Sequence, residues 1–307
     1  MSEHGMPSRR EVGRVLGLLG LGSAAALAGC GLRLEDDAPT IPFVPRRTIP
    51  DEALLIAARR RADALARLAA QVPGAAEAAA RHTRQVDVLD AILHAGGVPA
   101  DLVVPTTSPT ASGSRASSSA VTTAPAPVTP ADLGAREAAL PADGLTSGTT
   151  QRTLLASIAA HDSATAAALG VPVAWPAGDP LPAPAADSLL GSTRAAAYGI
   201  EVAAARTPAG ARAELLQALA ELRRREAALA ALSTTPAPAG YALPSGLSPQ
   251  ALVTHVLGVL VDQGLAPLTH VPAGSRAVVE VIRLLADAVA LAARHGVPPT
   301  PFPGLRE

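Results

Sequence analysis

Few side chains in this sequence of 307 residues can do covalent or metal chemistry. There is one cysteine, Cys30, so neither a disulfide framework nor a thiolate zinc site can be built. All 25 basic residues are arginine, which removes the lysine of a phosphate-binding loop. No Gly-x-Ser-x-Gly elbow occurs, and no strand pattern offers a scaffold for a nucleophilic triad. Carboxylates and imidazoles remain. Metal-bearing four-helix bundles set a Glu on two helices and Glu-x-x-His on the other two, which brings carboxylate and imidazole to one inward face. Here Glu214 is followed three residues on by Gln217, Glu221 by Arg224, Glu226 by Leu229 and Glu280 by Arg283. None has its His; an unorthodox ligand set in the second half of the chain is Glu201, Glu226, His255 and Asp262 with Glu280, which could hold iron or manganese. The competing account makes Glu226 an ion-pair partner of an arginine on a neighbouring helix, or a solvated seam edge. It makes His255 and Asp262 a rim pair, and Glu280 and Asp287 partners of Arg276 and Arg283. His82 and His161 fall on or beside apolar stripes, where hydrogen-bonded core histidines are expected. The expectation is a non-enzymatic chain with no catalytic residue and no cofactor, with the iron or manganese set as the alternative.

These groups would be carried on helices. Hydrophobic residues make up 49% of the chain and aromatics 2%, so the core must be close-packed Ala with Leu and Val seams. Apolar residues recur at helical spacing and nowhere in strict alternation. The spacing predicts a helix opened by Asp51-Glu52, with Leu54, Leu55, Ala58, Ala62, Leu65 and Leu68 on one face. After the Pro73-Gly74 turn, a second helix over 75–95 carries Ala78, His82, Val86, Leu89 and Leu93 on one face and stops at Gly96-Gly97-Val98-Pro99. Residues 101–130 turn Ser-, Thr- and Pro-rich and read as a disordered loop, a possible site of glycosylation. Helical pattern resumes over 131–140 and 149–169, where Leu154, Leu155, Ile158, Asp162, Thr165 and Leu169 keep register. The Pro- and Gly-rich stretch 171–186 reads as a joint. Four more helices follow, over 187–205, 208–232, 248–264 and 274–295, with a long crossover between the second and third. The fold expected is all-α, in two helical units over 51–170 and 185–307, the latter a four-helix bundle.

Charge narrows the partners. A formal net charge of -1 gives no basic footprint for nucleic acid. The runs Arg59-Arg60-Arg61 and Arg223-Arg224-Arg225 read as solvated faces, with contact to anionic lipid heads as the alternative.

The first thirty residues read as an address. Arg9 and Arg10 precede an apolar run that is too short for a membrane span of roughly 20 residues but has the length of a signal-peptide core. It ends Leu27-Ala28-Gly29-Cys30, which resembles the lipobox of bacterial lipoproteins. Small residues let an extended chain enter a peptidase, and the thiol is the nucleophile that accepts a diacylglycerol. Ser8-Arg9-Arg10-Glu11-Val12 resembles a twin-arginine signal, although Val12-Gly13 replaces the usual apolar pair; the general secretory route is the alternative. Cleavage would remove 1–29 and leave a lipidated, palmitate-bearing Cys30 on a Pro-rich tether over 30–50. Later apolar runs are expected to be broken too often by charge or Pro to span. The location expected is the outer face of the cell membrane, through the lipid, with an envelope protein or ligand as partner.

The order of short motifs carries a wider resemblance. The lipobox is followed by Gly31-Leu-Arg-Leu-Glu-Asp-Asp-Ala-Pro, then Leu154-Leu-Ala-Ser-Ile-Ala-Ala, Ala197-Tyr198-Gly199, Tyr241-Ala-Leu-Pro and Phe302-Pro-Gly-Leu. In that order they resemble a family of lipoproteins from high-GC Gram-positive bacteria whose C-terminal part is a ferritin-like domain. The resemblance implies a ferritin-like four-helix bundle after about residue 185. It implies no activity.

Overall fold

The computed structural model describes residues 46–104, 127–140, 150–238 and 240–305. The sequence expectations for 1–29, for Cys30 and for most of the tether and the Ser/Thr-rich loop lie outside these residues. Among the described residues there are nine α-helices, two 3-10 turns and no strand. The helices are α1 (Glu52–Ala69), α2 (Ala76–Ala95), α3 (Ala100–Val103), α4 (Pro130–Ala138), α5 (Arg152–Ala168), α6 (Ala183–Arg206), α7 (Ala213–Ala230), α8 (Pro249–Asp262) and α9 (Ala277–Arg294). The all-α expectation holds, with ends within a few residues of those read from the spacing.

Local chemistry explains two of the N-terminal ends. Thr129 and Asp132 form a reciprocal capping box at α4, with Pro130 at the first turn. Ser248 caps α8 and accepts from Ala251 N–H. Asp51 departs from expectation. It sits in the left-handed region at φ 66° and makes no side-chain cap for α1. Its carboxylate instead accepts the N–H of Gln151, at the start of α5, at 3.1 Å. A positive φ at a non-glycine is strained, and here it turns the carboxylate toward a second helix N-terminus.

Packing joins the elements across the sequence. α1 and α2 form an antiparallel hairpin; α6 packs on α7 and α8, α8 on α9, and α9 on α5, which also carries α4. The Pro-rich stretch 171–186 therefore is not a boundary of contact. From Thr48 onward the chain forms one compact unit, not the two units expected on either side of that stretch. The reason lies in α5. It is buried on nearly every side, at Leu154, Ala156, Ile158, Ala160, Ala164 and Ala166 among others, so it serves as a shared central helix. The C-terminal segment reinforces the union, since buried Phe302 packs with Leu55, Leu89, Leu93 and Ile158. Among the described residues one run, Pro249–His270, is long and apolar enough to cross a membrane by length and composition, contrary to expectation, and 56% of its most apolar 18-residue window is buried in this fold.

Candidate functional site

A closed polar cluster lies where α1, α2, α4 and α5 meet. His82 and Gln85 come from α2, one helical turn apart and on one face. Glu137 stands in the last turn of α4, and His161 and Asp162 lie mid-helix in α5. All five are buried, with Glu137 and His82 at 0% exposure and His161 and Asp162 at 1%. Burial of so many polar groups is costly unless each finds a partner.

Hydrogen bonds fix the proton positions. Gln85 Nε2 donates to the carbonyl of Pro301, so its Oε1 accepts from His82 Nδ1 at 2.9 Å. His82 Nε2 then faces Glu137 Oε1 at 2.6 Å, with one proton between them. His161 Nδ1 donates to the carbonyl of Thr300 at 2.8 Å, which leaves the lone pair on Nε2. The two imidazoles meet edge to face, 5.3 Å between centroids. Arg61 Nε donates to Asp162 Oδ2 at 2.8 Å, and its remaining N–H groups reach the carbonyls of Arg136, Glu137 and Ala139 at the end of α4. Ser157 donates to the carbonyl of Pro303 at 2.8 Å. Residues 300–303 thus strap the cluster through three carbonyls.

Electrostatics follow from this geometry. Burial and the neighbouring Asp162 push the Glu137 carboxyl up to about 7, against the pull of His82 and Arg61. Burial, with the charges of His82 and Arg81, pushes His161 down to about 3, so it is a neutral imidazole at physiological pH. Burial opposes charge on His82, but its bond to Glu137 and the charges of Glu137 and Asp162 outweigh burial and raise it.

Three buried atoms of this cluster have no hydrogen-bond partner: Glu137 Oε2, His161 Nε2 and Asp162 Oδ1. Each is an acceptor with a free lone pair. One ligand atom from each of His82, Glu137 and Asp162 lies within 4.8 Å of the others. The groups present suit a cation or proton transfer. A groove of about 390 Å³ between α1, α4 and α5 reaches Asp162, with Arg61, Leu54, Leu155 and Ile158 also lining it.

The ligand set read from the second half of the chain is not brought together. Glu201 pairs with Arg223. Glu226 accepts from Arg194 of α6 and from Arg223, which is the ion-pair alternative. Glu280 pairs with Arg283 on its own helix. His255 and Asp262 are exposed on α8. Arg59-Arg60-Arg61 is only in part a solvated face: Arg60 is exposed while it reaches the carbonyls of Leu102 and Val103, but Arg59 holds Asp90 and Arg61 enters the cluster. The short α3 and α4 cover that flank of α1, which periodicity in α1 could not reveal. Sequence reasoning passed over Glu137, and it treated His82 and His161 as ordinary core. The available signal was Asp162, a carboxylate in register with Leu154, Leu155 and Ile158.

Comparison with family models, curated proteins and solved structures found no match to this chain.

Proposed function

We propose that this chain is a cell-envelope lipoprotein that holds a ligand inside a helical module. Residues 1–29 direct export by the twin-arginine or general secretory route. Diacylglycerol on Cys30 anchors the chain at the outer face of the cell membrane, and residues 30–50 tether the module. The module works by binding, not by covalent catalysis, with an envelope component or small ligand as its partner and no nucleic acid. The observation that carries the binding reading is the buried cluster with its three unspent acceptors. Support for a ferritin-like arrangement comes from α6–α9, two helix pairs joined by a longer crossover. Support for the anchor comes from the order of Arg9, Arg10, the apolar run, Leu27, Ala28, Gly29 and Cys30.

A di-iron centre of the bundle type does not fit α6–α9, because its carboxylates are tied to arginines or lie exposed. The metalloprotein alternative is favoured only at the α2–α4–α5 cluster.

The anchor is tested by growing cells on a labelled fatty acid. Wild-type chain is expected in the membrane fraction with label; Cys30→Ala is expected without label, in soluble or uncleaved form. Equal labelling of the two would refute the lipoprotein reading.

A further inference from the structure

We propose that the α2–α4–α5 cluster is a binding site for one divalent transition-metal ion, with His82, Glu137 and Asp162 as ligands. It rests on the binding reading and names its ligand. The site is built as metal sites are. Two of the three donors, and the neighbouring His161, are each held by a bond on the far side. Arg61 holds Asp162 Oδ2 and leaves Oδ1 free. Thr300 holds His161 Nδ1–H and leaves Nε2 free. Gln85, itself held by Pro301, orients His82 through Nδ1. Such outer bonds fix tautomer and orientation in ligand sets.

The unpartnered atoms select the occupant. All three are lone-pair acceptors in a buried site, which suits a cation, a proton or a donating water and disfavours an anion. One imidazole and two carboxylates, without a thiolate, suit zinc, iron(II) or manganese(II). Magnesium and calcium prefer all-oxygen sets with more ligands, which this cluster does not supply. On binding, the proton shared by His82 Nε2 and Glu137 Oε1 is released to solvent, their 2.6 Å hydrogen bond is given up, and the two atoms move apart to admit the ion. Asp162 Oδ1 gains a partner while Oδ2 keeps its bond to Arg61. Entry is through the groove beside Arg61 and Asp162.

The test uses the full lipidated chain in detergent, stripped with a chelator and titrated separately with zinc, manganese(II), iron(II) and magnesium chlorides, read by metal analysis after desalting. One equivalent of a transition metal per chain is expected, at micromolar Kd or tighter, and magnesium is not expected to compete. Glu137→Gln and Asp162→Asn keep shape and, as losses of a direct ligand, should each weaken binding by at least about 100-fold, where an outer-shell partner costs about 10–100-fold. Cobalt(II) absorption adds a second readout: His82→Gln should alter the visible bands while the helical circular dichroism stays unchanged. Should a carboxylate variant fail to fold, this spectrum on the His82 variant decides alone. No saturable binding by any of the three transition metals overturns the site, as does binding or a cobalt spectrum indifferent to these substitutions. Repeating the titration on Cys30→Ala separates the two readings, since the anchor can fail while the metal site stands, and the reverse.

Discussion

Arg61 concentrates the residue-scale energetics. Its guanidinium serves Asp162 and three carbonyls at the end of α4, and Asp162 is almost fully buried. Removing one partner of a buried ion pair strands the other, at about 3–5 kcal/mol. Arg61→Ala is expected to lose stability of that order in urea unfolding, and Arg61→Lys to recover little of it, because an ammonium cannot fork to several acceptors. His161 and Glu137 set opposing pH dependences in the metal-free protein. His161 is depressed from 6.5 to about 3, so its neutral form stabilises the fold above 6.5, and that stability is lost as pH falls from 6.5 toward 3. Glu137 is raised from 4.5 to about 7, so its contribution is complete below 4.5 and is lost as pH rises toward 7. Between 4.5 and 6.5 the two slopes oppose each other. Below 4.5 that of His161 stands without opposition from Glu137, and it approaches about 1.4 kcal/mol per pH unit. Unfolding free energies of wild type and His161→Gln, measured from pH 3.5 to 7.5, should run parallel above 6.5 and differ in slope below it, with only the wild type losing stability steeply below 4.5; parallel curves throughout would contradict the assignment.

Among the elements, close approach is the sensitive variable. A Cβ at Gly199 of α6 would lie 2.6 Å from Val256 Cγ1 of α8. Gly199→Ala gains about 1 kcal/mol of helix propensity but overpacks this contact, at about 1–3 kcal/mol. A net loss is expected, with Val256→Ala restoring room; the coupling is read from a double-mutant cycle in thermal melts. The helices themselves were legible in the sequence, because Ala-rich stretches with Leu at helical spacing, punctuated by Pro73-Gly74, Gly96-Gly97 and the Pro-rich crossover, admit little else. Their partnership was not. Amphipathic spacing tells which face of α1 is apolar and says nothing of α3 and α4 covering its flank. α5 has no polar face to orient it, so its role between α1–α2 and α9 is set by tertiary packing alone. The cluster was half legible: Asp162 and His82 sat visibly on apolar stripes, while Glu137 comes from a nine-residue helix. The carbonyls of Thr300, Pro301 and Pro303 carry no side-chain signature at all.

At the scale of the whole molecule, sharing α5 makes stability indivisible. A fragment spanning residues 48–170 would expose the α5 face that packs on α9 and lack Phe302. It is expected to give a broad, non-cooperative melt where the intact chain gives one sharp transition; two separate transitions in the intact chain would restore the two-unit account. Phe302→Ala in the intact chain should cost about 3–5 kcal/mol by emptying a buried aromatic site. Gln85 and Pro301 are bonded across 216 positions. A chain that emerges N-terminus first from a ribosome, or from an unfolded-chain translocon, therefore presents the α1–α2 hairpin long before the carbonyl that accepts from its Gln85 amide arrives. Until then the pair is a waiting half-structure, open to chaperones and proteases, and its maturation is timed by synthesis of the 300s region.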